Sequence, residues 1–122
     1  MRVYISGKIG EGTISEKTRK KFQHAALVLK NRHHEVFDPT DEEWQRELGK
    51  RYPIDMRWED RKIDFYRYVL LRDLMVIATC DAILLLADWR DSQGAKTELA
   101  FARAAGLEVM ELTEYGEVAT WK

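Results

Sequence analysis

The 122-residue sequence predicts an α/β protein built on an open parallel sheet, and three observations carry that expectation. Residues 82–87, Ala-Ile-Leu-Leu-Leu-Ala, form an unbroken apolar run, as a strand buried on both faces of a parallel sheet requires. Strand-like and helical stretches alternate along the chain, strand first. Three expected connections, 6–12, 38–40 and 88–94, follow strand-like runs and carry Gly or short polar residues.

Taken in order, Arg2 to Ser6 reads as a first strand, ended by Gly7 and a loop containing Gly10 and Gly12. Thr13 with Glu16 fits a capping box, opening a helix to about residue 31 with Phe22, Ala25, Ala26 and Leu29 on one face. Glu35-Val36-Phe37 is a second strand, stopped by Asp38-Pro39. Thr40 with Glu43 offers another capping box for a short helix carrying Trp44 and Leu48, which residues 49–53 should break. A long helix is expected over about 58–79, with Ile63, Tyr66, Leu70, Leu74 and Ile77 in a stripe. After the 82–87 strand, a turn over 88–94 leads to a helix through Ala105 closed by Gly106, then a strand over 108–112. The last ten residues give no clear pattern. The sum is one domain spanning 1–122, a three-layer, Rossmann- or flavodoxin-like fold with about four to five strands. In such sheets ligands bind beyond the carboxyl ends of the strands, which points to the three loops named above.

Composition narrows the function. Lys and Arg total 20 against 21 Asp and Glu, a net charge of −1 that argues against a nucleic-acid polymer as partner. The basic run 17–21 reads as a solvated helix face. No apolar run is long enough to cross a bilayer, and the N-terminus opens on a strand without a signal peptide, so a cytoplasmic location is expected. Cys80 is the single cysteine, which excludes an internal disulfide, and it reads as a small buried residue. His24, His33 and His34 lack metal-ligand spacing, and His33-His34 falls at the opposite end of the sheet from the expected site. No metal or cofactor is expected.

Two carboxylates break the local pattern. On the helix after the third strand, Ala95, Leu99, Phe101, Ala102 and Ala105 form an apolar arc, and Glu98 falls inside it. A carboxylate there is costly unless satisfied or used. An ion pair with a neighbouring Arg or Lys, or a rotated helix, would also account for it. Its place at the expected site favours catalysis. Asp73 likewise borders the stripe formed by Tyr66, Val69, Leu70 and Ile77; function and a local pair with Arg72 or Arg67 stand level. Ser92 and Gly94 precede Glu98 where a helix N-terminus could receive a phosphate, although Ser92 also suits a plain N-cap. Ser6-Gly7-Lys8 matches no complete phosphate-loop pattern; close backbone approach to a ligand, with Lys8 as charge partner, and an ordinary turn are equal readings. Trp44, Trp58, Tyr66 and Tyr68 could wall a base-stacking pocket or a dimer interface.

Several segments together resemble the nucleoside 2-deoxyribosyltransferase superfamily: Val3-Tyr4-Ile5-Ser6-Gly7, Glu35-Val36-Phe37-Asp38-Pro39, Arg72-Asp73-Leu74, Cys80-Asp81 with the apolar strand, and the stretch from Asp91 through Ser92, Gly94 and Glu98 to Ala100. The similarity spans about residues 2–110, and its wording is nearest to short phage and bacterial members without assigned activity, relatives of the 2′-deoxynucleoside 5′-phosphate N-hydrolases. The resemblance implies Glu98 as nucleophile at C1′ of the sugar and Asp73 as the acid or a group contacting base or sugar. It further implies a substrate site drawing on Tyr4, Ser6, Gly7, Lys8, Asp38, Asp88, Ser92 and Gly94. Relatives acting on free nucleosides tend to carry Asp at the Ser92 position; a serine donates to a phosphate that an Asp would repel, which tilts the ligand toward a nucleoside 5′-monophosphate. The expected activity is therefore N-glycosidic cleavage by a nucleotide hydrolase. A deoxyribosyltransferase, or a non-catalytic nucleotide-binding sensor, is the alternative. Homodimers or larger homo-oligomers are expected by resemblance. The charged stretch 45–62 is longer than the minimal fold needs and stands open as a lid, an oligomer contact or a segment that has replaced the ancestral specificity.

Overall fold

The computed structural model describes residues 1–10 and 12–121, and all but the side chains of residues 54 and 55 within them. Residue 11, in the loop expected over 6–12, lies outside the described residues. Among the described residues, seven strands and four α-helices follow in the order β1 (Arg2–Ser6), α1 (Glu16–Asn31), β2 (Glu35–Phe37), α2 (Glu42–Asp55), β3 (Arg57–Trp58), β4 (Arg61–Lys62), α3 (Phe65–Ile77), β5 (Ala82–Leu85), α4 (Gln93–Ala104), β6 (Glu108–Leu112) and β7 (Val118–Thr120). The main sheet runs β2-β1-β5-β6-β7. Its first four strands are parallel, and β7 closes the far edge antiparallel to β6. The open parallel sheet expected from the sequence is thus present, with its fifth strand in the C-terminal segment that gave no pattern.

The period-two alternation of β1 divides the core. Val3 and Ile5 face α1, packing with Ala82, Leu84 and Met110 against Phe22, Ala25, Ala26 and Leu29. Tyr4 turns to the opposite face, where Ile83, Leu85 and Val109 meet Ile77 of α3 and Leu99 and Ala102 of α4. Phe22 and Leu29 are fully buried, each contributing on the order of 1.5–3 kcal/mol. Ser6, on the Tyr4 side of the strand, ends β1 at the carboxyl edge.

Helix boundaries depart from expectation where two capping residues compete. Ser15, not Thr13, caps α1, its hydroxyl accepting from the Thr18 N–H. Asp41, not Thr40, caps α2, because the Thr40 hydroxyl is already donated to Asp38 at 2.7 Å. Nor does α2 break at residues 49–53. Leu48 is buried and Tyr52 packs on Phe65 and Tyr68, outweighing the roughly 1 kcal/mol that Gly49 forfeits and leaving Pro53 in the last turn. The long helix expected from residue 58 is instead a β3–β4 hairpin followed by α3, which Asp64 caps. Glu59 takes φ +56° in the hairpin turn, a left-handed conformation that no Gly or Asn announced. Ile63 therefore lies before α3, and Tyr66 is 65% exposed rather than part of the buried stripe, which Tyr68, Asp73 and Ile77 form. Gly106 closes α4 as expected, at φ +83°.

Candidate functional site

β1 and α4 build the centre of the site together. Glu98 lies one turn into α4 on its buried face, 6% exposed, and its two oxygens are taken by hydroxyls from β1. The Tyr4 O–H donates to Oε2 at 2.6 Å and the Ser6 O–H to Oε1 at 2.7 Å. Both donors are fully buried, so their hydroxyls hold Glu98 in one orientation.

The second carboxylate arrives from α3. Asp73 is 6% exposed, and its Oδ1 accepts the Trp44 indole N–H at 3.2 Å. Burial settles the choice between a buried and an exposed flank, and Arg67 pairs instead with Asp64 at 3.5 Å. Tyr4 is coupled electrostatically to Asp73 as well as to Glu98. A series of rings closes the arrangement from behind. Tyr4 stacks on Phe37 at 5.6 Å, Phe37 meets Trp44 edge-on at 5.0 Å, and the Arg72 guanidinium lies 5.8 Å from both the Trp44 and Tyr68 rings.

Burial and mutual charge separate the two acids. Desolvation pushes Glu98 up to about 7, against the downward pull of the Tyr4 and Ser6 hydroxyls. Asp73 is raised well above the carboxylate range, first by burial and then by the charge on Glu98, with Trp44 and Tyr4 pulling it down. Tyr4 is likewise raised well above the ordinary phenol, by burial and then by Glu98 and Asp73. Two short hydroxyl contacts favour the ionised form of Glu98, and the Glu98 charge favours the protonated form of Asp73. Both acids are thus held above the ordinary carboxylate value, and the charge of one opposes ionisation of the other.

The other residues singled out in the sequence make contacts of their own. Gly7 is buried, and a Cβ there would meet the Leu86 side chain at 2.8–3.0 Å; close approach of the chain beyond β1 and β5 demands the glycine. Lys8 is exposed, and its backbone takes part in a tie between loops: its N–H donates to Asp88 at 3.0 Å and its carbonyl accepts from Lys21 at 2.8 Å. Asp88 is also ion-paired with Lys21. Asp38 accepts the N–H and O–H of Thr40, shaping the turn after β2. Ser92 is the N-cap of α4, accepting from the Ala95 N–H at 3.1 Å, and Gly94 sits in the first turn. A groove of about 640 Å³ opens at the β2 edge between α1 and the start of α2; Trp44 lines it, while Glu98 and Asp73 do not. No sequence signal marks Trp44 as the partner of Asp73, since the contact joins residues 29 positions apart and depends on how α2 packs against α3.

The sequence profile of a family described as a domain of unknown function, DUF4406, matches residues 1–111. The chain belongs to the DUF4406 family. No protein of curated function matches the sequence. In structure, this DUF4406 chain is similar to a 2-deoxyribosyltransferase from the psychrotolerant bacterium Bacillus psychrosaccharolyticus, at 23% identity and a TM-score of 0.61, covering 98% of this chain and 77% of the other. The superfamily resemblance drawn from the sequence is therefore met at the level of the fold. Among the described residues, no helix of the DUF4406 domain is long and apolar enough to cross a membrane.

Proposed function

We propose that this DUF4406 protein cleaves the N-glycosidic bond of a (deoxy)nucleoside 5′-monophosphate, with Glu98 as nucleophile at C1′ and Asp73 as general acid. The observation that carries the proposal is the buried pair itself: Glu98 fixed by the Tyr4 and Ser6 hydroxyls, with an equally buried Asp73 engaged by the Trp44 N–H. In the first step a Glu98 oxygen bonds to C1′ as the C1′–N bond breaks, and Asp73 gives its proton to the departing base. In the second, water attacks C1′, the ester to Glu98 breaks, and Asp73 takes the proton back. Glu98 is released as carboxylate, with sugar phosphate and base as products. A carboxylate beneath C1′ stabilises the oxocarbenium-like state of both steps.

The start of α4 suits the 5′-phosphate. Ser92 brings a hydroxyl, Gly94 leaves room for close approach, and the helix N-terminus favours an anion. Lys8, Gly7, Asp38 and Asp88 would shape the walls. The fold likeness to a 2-deoxyribosyltransferase favours a second acceptor as the variant reading: a purine or pyrimidine base replacing water in the second step makes the same site a transferase. We further read the protein as a cytoplasmic homo-oligomer, a reading that the exposed Leu71 and Met75 on α3 support.

The test incubates purified protein with a panel of nucleoside and deoxynucleoside 5′-monophosphates, with and without an added base, and separates products by chromatography. Base release or base exchange by the wild type, absent in Glu98→Ala, is expected. Neither product from any substrate would overturn the proposal, and nucleotide binding without turnover would leave the sensor reading in its place.

A further inference from the structure

The Trp44 side chain is poorly explained as a simple core residue. It is only partly buried, yet its indole N–H is spent on a buried carboxyl group rather than on water. Two neighbours hold the ring: Phe37 meets it at 84° and the Arg72 guanidinium lies over it. Phe37 in turn stacks on Tyr4, so the ring is indexed to the same tyrosine that holds Glu98. Asp41 caps the helix by accepting the Trp44 backbone N–H at 3.2 Å, which fixes the origin of the side chain as well.

A carboxylic acid has two oxygens and one proton. An N–H donor directed at one oxygen favours the proton on the other, because the carbonyl oxygen of a carboxylic acid is the stronger hydrogen-bond acceptor. The Trp44 N–H reaches Oδ1, which leaves Oδ2. We propose that Trp44 is the positioning residue of Asp73: by engaging Oδ1 it favours the acidic proton on Oδ2, from which the acid is delivered. The second half of this statement rests on the glycosidase reading; the first half stands on the contact alone. Asp73 is faced by Tyr4 from β1, by Glu98 from α4 and by the uncharged Trp44 from α2, with Arg72 adjacent on its own helix. Tyr4 and Glu98 are common to wild type and Trp44 variants, so differences between these proteins report on the indole.

The experiment uses the ligand-free protein first. In a pH titration followed by NMR, the Trp44 indole N–H resonance is expected to move with the same midpoint as the Asp73 carboxyl carbon, and to stay still in Asp73→Asn. This comparison needs no Trp44 variant. In Trp44→Phe, which keeps a ring and removes the donor, the Asp73 midpoint is expected to rise, since the lost N–H favours the ionised form. For base release, Trp44→Phe should lower kcat by roughly tenfold or more with KM changed much less, and extend the high-pH limb of the rate profile upward. An indole resonance indifferent to the state of Asp73, or an unchanged midpoint in Trp44→Phe, would overturn the proposal. Coupled titration in a protein that releases no base from any nucleotide would uphold the positioning role and overturn the glycosidase reading alone.

Discussion

Replacing Glu98 by Gln should make the protein more stable at pH 8 while removing its proposed chemistry. The unfolded chain gives up the Glu98 proton near 4.5, whereas the folded chain holds it to about 7. Between those values the folded state binds more protons than the unfolded one, so stability falls as pH rises and the loss is complete above the folded value. The gap from 4.5 to about 7 corresponds to about 3 kcal/mol at pH 8. The amide is isosteric, and the Tyr4 and Ser6 hydroxyls can partner its oxygen and nitrogen in place of the two carboxylate oxygens. Removing the Glu98 charge also relieves Asp73, whose own pH dependence then flattens. For a domain of 122 residues the gain amounts to roughly 10 °C in Tm at pH 8, shrinking toward zero near pH 4.5. Thermal and urea denaturation of both proteins across pH 4.5 to 8 reads this directly. Parallel pH curves, with the Gln variant no more stable at pH 8, would refute the idea that Glu98 carries a buried and costly charge.

Other perturbations separate structure from chemistry. Gly7→Ala forces a Cβ into the Leu86 side chain and should destabilise the fold by about 1–3 kcal/mol in urea denaturation. Asp88→Ala removes a pair whose side chains are 34% and 31% exposed, so its effect should be about 1 kcal/mol or less, smaller than that of Gly7→Ala in the same assay. Ser92→Ala removes the α4 cap, lowering stability by about 1 kcal/mol, and should raise KM for nucleoside 5′-monophosphates while leaving that for nucleosides nearly unchanged.

The legible part of the molecule was whatever depends on short-range pattern. Val3, Ile5 and the 82–87 run revealed the central strands because burial on one or both faces writes itself into period and composition. Glu98 could be found because a carboxylate interrupts an arc of alanines and a leucine. Asp73 was visible only as a level choice, since its helix was expected to start seven residues too early and with Tyr66 facing inward. What stayed hidden depends on contacts distant in sequence. The β3–β4 hairpin has two-residue strands and a Glu at positive φ, so neither alternation nor turn chemistry signals it. The α2 cap lies one residue on because Thr40 spends its hydroxyl on Asp38, a partner no spacing rule weighs. Trp44 reaches Asp73 only once α2 packs against α3, and Tyr4 and Ser6 reach Glu98 across more than ninety residues.

The central claim is a covalent bond between Glu98 and C1′, and intact-mass spectrometry tests it most directly. The protein is acid-quenched during turnover of the nucleotide that releases base fastest, or after exposure to an analogue whose 2′-fluorine slows collapse of the sugar–enzyme bond. The account predicts an adduct with the mass of the sugar phosphate, mapped by peptide analysis to Glu98 and missing from Glu98→Ala. Base release at full rate with no adduct on Glu98, or an adduct on another residue, would contradict it.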